Sequence, residues 1–387
     1  MPLKIMTIFG TRPEAIKLAP VIRELERRPA EFEHVTVVTA QHREMLDQVL
    51  ALFRIDPDYD LDIMTAEQSV SDVMARVVTG LGPVLERVRP DAVVVQGDTT
   101  TVLAAGLAAF YARIPVAHVE AGLRTRDKQQ PFPEEINRRL VSHLADWHFA
   151  PTDCARANLL REGIDADSVF VTGNTVIDAL LSVIRADYVF EDPLLASLAG
   201  RRLVLATTHR RENWGEPLRR VCRAIRRIAA SRPDVEIVYA VHPNPEVRRV
   251  VEAELRMTDR VHLLGPVAYE PFAQLMSRAT VILTDSGGIQ EEAPSLDVPV
   301  LVLRTVTERP EGIEAGTLRL VGTDEERIVE GTLRLLDDPA EHGRMASRAN
   351  PYGDGHASQR IADVLAERVG AVDGAVAAVR ARSGSTS

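Results

Sequence analysis

Short apolar segments alternate along almost the whole chain with longer segments of helical periodicity. The apolar segments are rich in β-branched residues, which favour strands. In the first half they are Lys4–Phe9, His34–Thr39, Ala92–Gln96, Val116–Val119 and Val169–Thr172. In the second half they are Leu203–Thr207, Glu236–Val241, Val261–Leu264, Val281–Thr284 and Val300–Leu303. Strands that alternate with helices predict parallel sheets, so we expect an α/β protein of two doubly wound, Rossmann-like domains.

Chain length supports two domains, because 387 residues exceed one ordinary core at roughly 150 residues per domain. The first helix is predicted to open at Pro13, a residue suited to a first helical turn. A linker is expected near Gly173 to Pro193, and a terminal helix over Ser358–Val369 is expected to return to the first domain. The expected division is 1–172 plus 355–373 for the first domain, 173–354 for the second and 374–387 for a flexible tail.

Composition limits the kinds of partner and the cellular compartment that we expect for the protein. The net charge of −10 argues against a nucleic-acid surface, which needs a basic stripe. Cys154 and Cys222 are far apart in sequence, which argues against a disulfide framework and for a reducing compartment. The N-terminus resembles no signal peptide, and the stretch Thr101–Ala112 is shorter than the ~20 residues of a membrane helix. We therefore expect a soluble, cytoplasmic protein with neither nucleic-acid nor membrane partners.

Polar residues follow the predicted strands at the ends where open α/β sheets bind ligands. In the first half these segments are Gly10–Pro13, Gln41–His42, Gly97–Thr100 and Glu120–Arg124. In the second half they are His209–Asn213, His242–Pro245 and Ser286–Gly288. We expect them to face one cleft between the two domains.

The segment after Thr284 is typical of a phosphate site. A β-branched strand stops at Ser286-Gly287-Gly288 and a helix follows, so free backbone N–H groups and a helix N-terminus are available to an anion. Carboxylates follow one turn further along. The segment fits a nucleotide diphosphate, although two glycines can equally serve only a tight β–α turn.

Taken together, these segments resemble those of the non-hydrolysing UDP-N-acetylglucosamine 2-epimerases. The resemblance covers about residues 3–370 and rests on Phe9–Lys17, His118–Arg124, Pro131–Glu135, Thr172–Thr175, His209–Asn213, the Ser286 segment, Thr307–Gly312 and Asn350–Gly355. It implies a GT-B-like fold, a homodimer, and reversible conversion of UDP-GlcNAc to UDP-ManNAc with no metal and no redox cofactor. The product of such an enzyme can feed cell-surface polysaccharide biosynthesis.

The chemistry implied by the resemblance explains which side chains are needed. No carbonyl lies beside C2 to acidify its proton, and the family solves this by anti elimination of UDP to 2-acetamidoglucal, followed by re-addition. The site then needs a clamp for departing UDP, carboxylates that stabilise positive charge at C1, and groups that remove and return a proton.

The clamp is expected to combine basic side chains with the Ser286 loop. Guanidinium groups bind phosphate oxygens in pairs, which favours Arg12 and Arg309. The resemblance implies that His209 contacts the diphosphate, Glu292 accepts the ribose hydroxyls and Phe272 lies near uracil. The predicted UDP-binding residues are Arg12, Lys17, His209, Phe272, Ser286, Gly287, Gly288, Glu292 and Arg309. A solvated helix face for Lys17 and core packing for Phe272 are the structural alternatives.

Asp98, Glu120 and Glu134 are the predicted acid–base carboxylates, and His209 completes the catalytic set. Asp98 can instead serve as a helix N-cap, and Glu134 can be favoured in a first turn by the helix dipole. The resemblance points to catalysis at all three. Which one removes the C2 proton stays open, and a closed site is expected to push their pKa values apart.

Two further expectations concern ions and regulation. No spacing of histidine and acidic residues matches a tight metal motif, so no metal is expected. Many bacterial members of the family bind a second UDP-GlcNAc as an activator, and Gln41, Arg210 and His242, together with Glu134, match that site. Glu44 and Glu67 stand where an amide and a basic residue are expected. Their repulsion of a diphosphate predicts a weak or absent activator site, unless both are ordinary solvated carboxylates.

Three other functions are compatible with parts of this pattern. A retaining glycosyltransferase of the same fold also holds a UDP-sugar, but it does not need the acidic set of the first domain. A hydrolysing epimerase releases free sugar and UDP. A silent UDP-sugar sensor binds without turnover, and the presence of Asp98, Glu120 and Glu134 argues against it.

Overall fold

The structure, a computed structural model, describes residues 1–40, 43–65 and 68–383, without the side chains of 43–45 and 372–383. The chain forms two compact units. The first comprises Met1–Ala179 and Gly353–Ser387, and the second comprises Leu180–Tyr352. No helix in the described part of the chain is both long enough and apolar enough to cross a membrane.

The first unit is built on a seven-stranded parallel sheet of order β3-β2-β1-β4-β5-β6-β7. Its strands are Leu3–Phe9 (β1), Phe32–Val38 (β2), Tyr59–Asp60 (β3), Ala92–Gln96 (β4), Val116–Val119 (β5), Trp147–Ala150 (β6) and Val169–Val171 (β7). Its helices are Arg12–Glu26 (α1), Arg43–Phe53 (α2), Val70–Val88 (α3), Thr100–Tyr111 (α4), Glu134–Leu144 (α5), Asp153–Arg161 (α6), Thr175–Val183 (α7), which begins in this unit, and the last helix of the chain.

The second unit has a six-stranded parallel sheet of order β10-β9-β8-β11-β12-β13. Its strands are Arg202–Thr208 (β8), Val235–Val241 (β9), Val261–Leu264 (β10), Val281–Thr284 (β11), Val300–Val302 (β12) and Leu318–Leu320 (β13). Its helices are Pro193–Ser197 (α8), Glu216–Ser231 (α9), Pro245–Leu255 (α10), Tyr269–Arg278 (α11), Gly287–Glu292 (α12), Pro310–Ala315 (α13), Glu325–Asp337 (α14) and Pro339–Ala346 (α15).

Both sheets reverse their strand order beside the first strand of the unit, as Rossmann-like sheets do. This confirms the predicted α/β class with two doubly wound units. Three strands were not predicted, namely β3, β6 and β13. β3 and β13 are very short edge strands, and β6 carries a histidine, His148, whose Nε2 lies 2.8 Å from the carbonyl oxygen of Ser142.

The last helix, Ala357–Ser383 (α16), packs against α1 in the first unit. Its backbone remains helical beyond Val372, in the segment for which a flexible tail was expected. Alanine and arginine are frequent there and favour helix. The N-terminus of α16 is fixed by Asp178, which accepts hydrogen bonds from the backbone of Ala357 at 3.2 Å and of Ser358 at 2.8 Å.

Candidate active site

Glu120 directly follows β5 and lies among three donors of the first unit. The Lys17 ammonium is 2.5 Å from its Oε1, and the Asn174 amide donates to the same oxygen at 3.0 Å. The Gln96 amide donates to Oε2. Glu120 has a left-handed backbone with φ of 64°, which is unusual for a residue with a side chain and directs this buried carboxylate toward its donors. One ammonium and two amides thus compensate its negative charge.

Asp98 lies in the loop after β4 and is only partly covered, with 27% of its side chain exposed. The Arg138 guanidinium donates to its Oδ2 at 2.5 Å, and the Asn137 amide donates to its backbone oxygen at 3.0 Å. Burial raises the pKa of Asp98, and the carboxylates of Glu120 and Glu134 raise it further, while Arg138 and Lys17 oppose them. The Asp98 carboxyl therefore stays protonated to a higher pH than that of an ordinary aspartic acid.

Glu134 is the first residue of α5 and is half-buried. Its charge contributes to the raised pKa of Asp98, so the structure brings all three predicted carboxylates, Asp98, Glu120 and Glu134, into one electrostatic cluster. The next residue, Glu135, is fully buried and accepts hydrogen bonds from the backbone of Thr125 and Arg126, each at 3.0 Å. Glu135 thereby fixes the segment that precedes α5.

Sequence reasoning did not assign several residues that hold these carboxylates. They are Gln96, Arg138 and Asn174, while Glu14, also not assigned, accepts the hydroxyl of Thr99 next to Asp98. Glu14 and Asn174 belong to motif strings that carried the family resemblance, and Gln96 ends a predicted strand. The sequence around these positions therefore indicated a functional site. The residues that they contact are distant in sequence, so the contacts themselves could not be predicted.

In the second unit, Asp285 organises the loop after β8. It is fully buried and accepts hydrogen bonds from the backbone of His209 at 3.0 Å, the backbone of Arg210 at 3.1 Å and the amide of Asn213 at 2.8 Å. The His209 Nδ1 lies 3.2 Å from Asp285 Oδ1. Burial by itself raises the pKa of Asp285, but these donors outweigh it and the pKa is lowered. An ionised Asp285 therefore orients the His209 ring and fixes the backbone beside it.

Two guanidinium groups converge on the Ser286 loop. Ser286 is the N-cap of α12, and Gly287 and Gly288 begin that helix. A side chain at Gly287 would start 3.7 Å from Arg210 Nη2 and 3.7 Å from Arg309 Nη2. Arg309 also donates through Nε to Glu291, which is buried. Backbone N–H groups beside two guanidinium groups suit an anion with several oxygens, such as a diphosphate.

The other predicted nucleotide contacts lie on neighbouring elements of the second unit. Glu292 ends α12, and its Oε1 accepts a hydrogen bond from the Tyr269 hydroxyl at 3.2 Å. Phe272 lies on α11, as Tyr269 does, and is half-buried. The rings of His209 and His242 stack with centroids 6.1 Å apart. Burial and the neighbouring His209 lower the pKa of His242.

The two remaining basic residues of the predicted clamp lie on α1 in the first unit. Arg12 is its first residue and is half-buried, and Lys17 contacts Glu120. Lys17 therefore lies in the carboxylate cluster.

Part of the predicted activator site lies outside the described residues. This applies to Gln41 and Glu67, and to the side chain of Glu44. Arg210 and His242 are described, and both neighbour the loop that contains His209. Within the described ranges, no group of three or more histidine, cysteine, aspartate and glutamate side chains is arranged to hold a metal ion.

Two Rossmann-like units, one with a carboxylate cluster and the other with an arginine-flanked helix N-terminus, define a nucleotide-sugar enzyme of the GT-B-like class. Comparison with known families agrees with this class. The family model for UDP-N-acetylglucosamine 2-epimerase matches residues 23–366, and the chain belongs to that family. It is therefore an isomerase, as the sequence motifs predicted.

Individual relatives are similar over nearly their whole length. The UDP-N-acetylglucosamine 2-epimerase of Bacillus subtilis (strain 168) is 52% identical over 363 residues, covering 94% of this chain and 95% of the relative. That of Escherichia coli (strain K12) is 53% identical over 371 residues, covering 94% and 98%. The crystal structure of the Neisseria meningitidis UDP-GlcNAc 2-epimerase bound to UDP-GlcNAc has a TM-score of 0.84 and 48% identity, covering 94% of this chain and 100% of that one.

Proposed function

We propose that the protein interconverts UDP-GlcNAc and UDP-ManNAc by inverting C2 of the sugar, without hydrolysing the nucleotide sugar. The observation that carries this proposal is the carboxylate cluster of the first unit, in which Glu120 and Glu134 both raise the pKa of Asp98. A glycosyltransferase of the same fold needs a UDP site but has no use for three such carboxylates. Membership of the epimerase family supports the same choice.

The proposed reaction has two halves that are chemically balanced. In the first, a base removes the C2 proton as the bond from C1 to the UDP oxygen breaks, and a C1–C2 double bond forms in 2-acetamidoglucal. In the second, an acid returns a proton to the opposite face of C2 and the UDP oxygen adds again at C1. No net oxidation occurs, so the chain's own acid–base groups and its diphosphate clamp are sufficient.

The surroundings of the carboxylates suggest different roles for them. Asp98 has a raised pKa and keeps some contact with solvent, which suits a group that exchanges protons. Glu120 is surrounded by Lys17, Gln96 and Asn174, which suits a fixed negative charge that stabilises positive charge at C1. Glu134, on the first turn of α5, is proposed as the third member of the acid–base set.

The UDP moiety is proposed to bind to the second unit. Ser286, Gly287 and Gly288 supply the loop, and Arg210 and Arg309 supply positive charge beside it. His209 is proposed to contact the diphosphate, while Glu292 binds the ribose and Phe272 lies near uracil. Arg12 of the first unit is proposed to add charge to this clamp.

The proposed assembly follows from the family resemblance, and the proposed location follows from the cysteine content. We expect a homodimer that acts in the cytoplasm without metal or redox cofactor. Light scattering of the purified protein measures the first expectation, and activity after treatment with EDTA tests the absence of a metal.

The central test is proton NMR of UDP-GlcNAc with the protein in deuterium oxide and no acceptor. We expect UDP-ManNAc to appear, with deuterium at C2 of the product and, through the reverse reaction, of the substrate pool. Retention of hydrogen at C2 would exclude the elimination route. Free N-acetylmannosamine with UDP would indicate a hydrolysing enzyme, and tight UDP binding without any conversion would indicate a sensor.

A further inference from the structure

A single buried carboxylate connects two of the loops that carry site residues. Glu14 lies on the first turn of α1 and is 2% exposed. Its Oε2 accepts the backbone N–H of Gly10 at 2.6 Å and that of Thr11 at 3.0 Å. Its Oε1 accepts the hydroxyl of Thr99. The loop after β1 is thus tied to the loop after β4.

Each of these loops presents a residue of the proposed site. Arg12 follows the loop Gly10–Thr11, and Asp98 directly precedes Thr99. Thr99 is also the N-cap of α4, because its hydroxyl oxygen accepts the backbone N–H of Val102 at 3.3 Å. A shift of Thr99 therefore displaces both Asp98 and the start of that helix.

A capping box explains part of this geometry. A glutamate at the third helical position commonly folds back onto the backbone before the helix. The chain offers a matched example in α3, where Asp72 Oδ2 accepts the backbone N–H of Ser69 at 2.9 Å and its hydroxyl at 2.7 Å. That box is exposed, and among the described residues its hydrogen bonds stay within Ser69 and Asp72. Glu14 differs because it is buried and reaches a second loop.

We propose that Glu14 is a positioning residue for the epimerisation, which holds the Arg12 loop and the Asp98 loop in one fixed relation. The inference rests on the proposed function, because Arg12 and Asp98 matter together only if both serve that reaction. Glu14 acts through these two residues and is not itself a catalytic residue. Misplacement of reacting groups by about 1 Å is enough to cost about 100-fold in rate.

The connection between the two loops depends on a carboxylate that titrates near the pH at which enzymes commonly act. Burial, with a smaller contribution from the charge of Asp98, raises the pKa of Glu14 to about 6, against the hydrogen bonds from Thr99, Gly10 and Thr11. Asp98 is in turn influenced by Arg138, Glu120, Lys17 and Glu134.

Protonation of Glu14 changes the direction of its bond to Thr99. The two backbone N–H groups require Oε2 as an acceptor, so the proton is expected on Oε1. Oε1 then donates to the Thr99 hydroxyl instead of accepting from it, which exchanges a charge-assisted bond for a neutral and weaker one. The hydrogen bond that connects Glu14 to Thr99 is therefore expected to weaken below a pH of about 6.

The test compares Glu14→Ala and Glu14→Gln with the wild type, with Asp72→Ala and Asp72→Asn as controls for a helix cap. Glutamine keeps an oxygen for the two backbone N–H groups and an amide N–H for Thr99, but it carries no charge. We expect Glu14→Ala to lower kcat by about 100-fold. Glu14→Gln should restore most of this, within about tenfold of wild type at pH 8. Both controls should keep the wild-type kcat.

The pH dependence separates positioning from simple structural support. The ratio of wild-type to Glu14→Gln kcat should fall toward one as pH decreases through about 6, because the wild type then also carries a neutral side chain. A ratio that stays constant between pH 5 and 8, from about one unit below that value to about two units above it, would overturn the proposal. So would a kcat for folded Glu14→Ala within about threefold of wild type. If Glu14→Ala does not fold, the ratio for Glu14→Gln decides alone. If the wild-type protein does not convert UDP-GlcNAc at all, the proposed function itself is refuted.

Discussion

The Lys17 ammonium lies 2.5 Å from Oε1 of Glu120, and only 6% of the Glu120 side chain is exposed. The sequence suggested Lys17 as part of the UDP clamp. Because it lies beside a carboxylate, we propose a second task for it, which is to compensate the charge of Glu120 in the carboxylate cluster. The two tasks predict different kinetic defects.

Lys17→Met should lower kcat by about 100-fold or more, because it leaves the buried carboxylate of Glu120 without its counter-ion. A residue that only binds UDP would instead mainly raise KM and the dissociation constant of UDP. Steady-state kinetics with calorimetric UDP titration measure both. Lys4→Met is the matched control, because Lys4 pairs with Glu33 at 3.0 Å on the surface. A Lys17 variant with normal kcat and weakened UDP binding would contradict the proposed task.

Amide substitutions in the carboxylate cluster test whether its residues act in the chemical step and not in UDP binding. Asp98→Asn, Glu120→Gln and Glu134→Gln should each lower kcat by about 100-fold or more. UDP affinity should remain near that of the wild type, because none of these three carboxylates belongs to the proposed UDP clamp. Glu33→Gln serves as a surface control. A parallel loss of rate and UDP affinity would show that these carboxylates also belong to the clamp.

Arg309→Ala should weaken UDP binding by about 10- to 100-fold, the usual cost of losing hydrogen bonds to a charged group. Its Nη2 lies beside Gly287, where the diphosphate is proposed to bind. The substitution also leaves the buried Glu291 without this guanidinium, so Arg309→Ala combined with Glu291→Gln removes that side effect. Calorimetry with UDP measures the loss. Unchanged affinity in both variants would remove Arg309 from the clamp.

The fold was predictable from sequence because strand ends carry local signals. The β-branched run before Ser286-Gly287-Gly288 marks both the strand β11 and the turn that follows it. The partners of Glu120 carry no such signal. Lys17 and Asn174 are distant from Glu120 in sequence, and only the order of the strands brings them to its side. Sequence reasoning therefore proposed Glu120 and Lys17 as site residues but did not predict their contact, or that of Asn174 with Glu120.

The raised pKa of Glu14 predicts a pH-dependent difference in stability. The ordinary value of 4.5 applies to the unfolded chain, whereas the folded value is about 6. As pH rises between these values, the unfolded chain loses its proton first, so the free energy of unfolding of the wild type falls. The contribution of Glu14 to this fall is about 2 kcal/mol and is complete above the folded value.

Glu14→Gln lacks this titration. Relative to the wild type, it should gain about 2 kcal/mol of stability between pH 4.5 and 6, a window set by the cited pKa values. Denaturant unfolding at several pH values measures the difference. Asp72→Asn should show the opposite sign, because its hydrogen bonds from Ser69 lower the pKa of Asp72. A difference between Glu14→Gln and wild type that does not change with pH would mean that Glu14 keeps an ordinary pKa in the folded chain.

Regulation by a second UDP-GlcNAc is expected to be weak in this protein. Of the predicted activator residues, Arg210 approaches Gly287 and His242 stacks on His209, so both neighbour the proposed UDP site. Glu44 and Glu67 place carboxylates at two other positions of the predicted activator site. Each close pair with a diphosphate costs roughly 1 kcal/mol, or about fivefold in affinity.

The rate should therefore depend hyperbolically on UDP-GlcNAc concentration, and the reverse reaction from pure UDP-ManNAc should start without added UDP-GlcNAc. Glu44→Gln combined with Glu67→Arg removes the repulsion and restores an amide and a basic residue. In that variant we expect a sigmoidal forward curve and a reverse reaction stimulated by UDP-GlcNAc. A wild type that already shows a sigmoidal curve, or a reverse reaction silent until UDP-GlcNAc is supplied, would show that these two carboxylates do not weaken the activator site. A double variant that remains hyperbolic would place the cause of weak activation elsewhere in the chain.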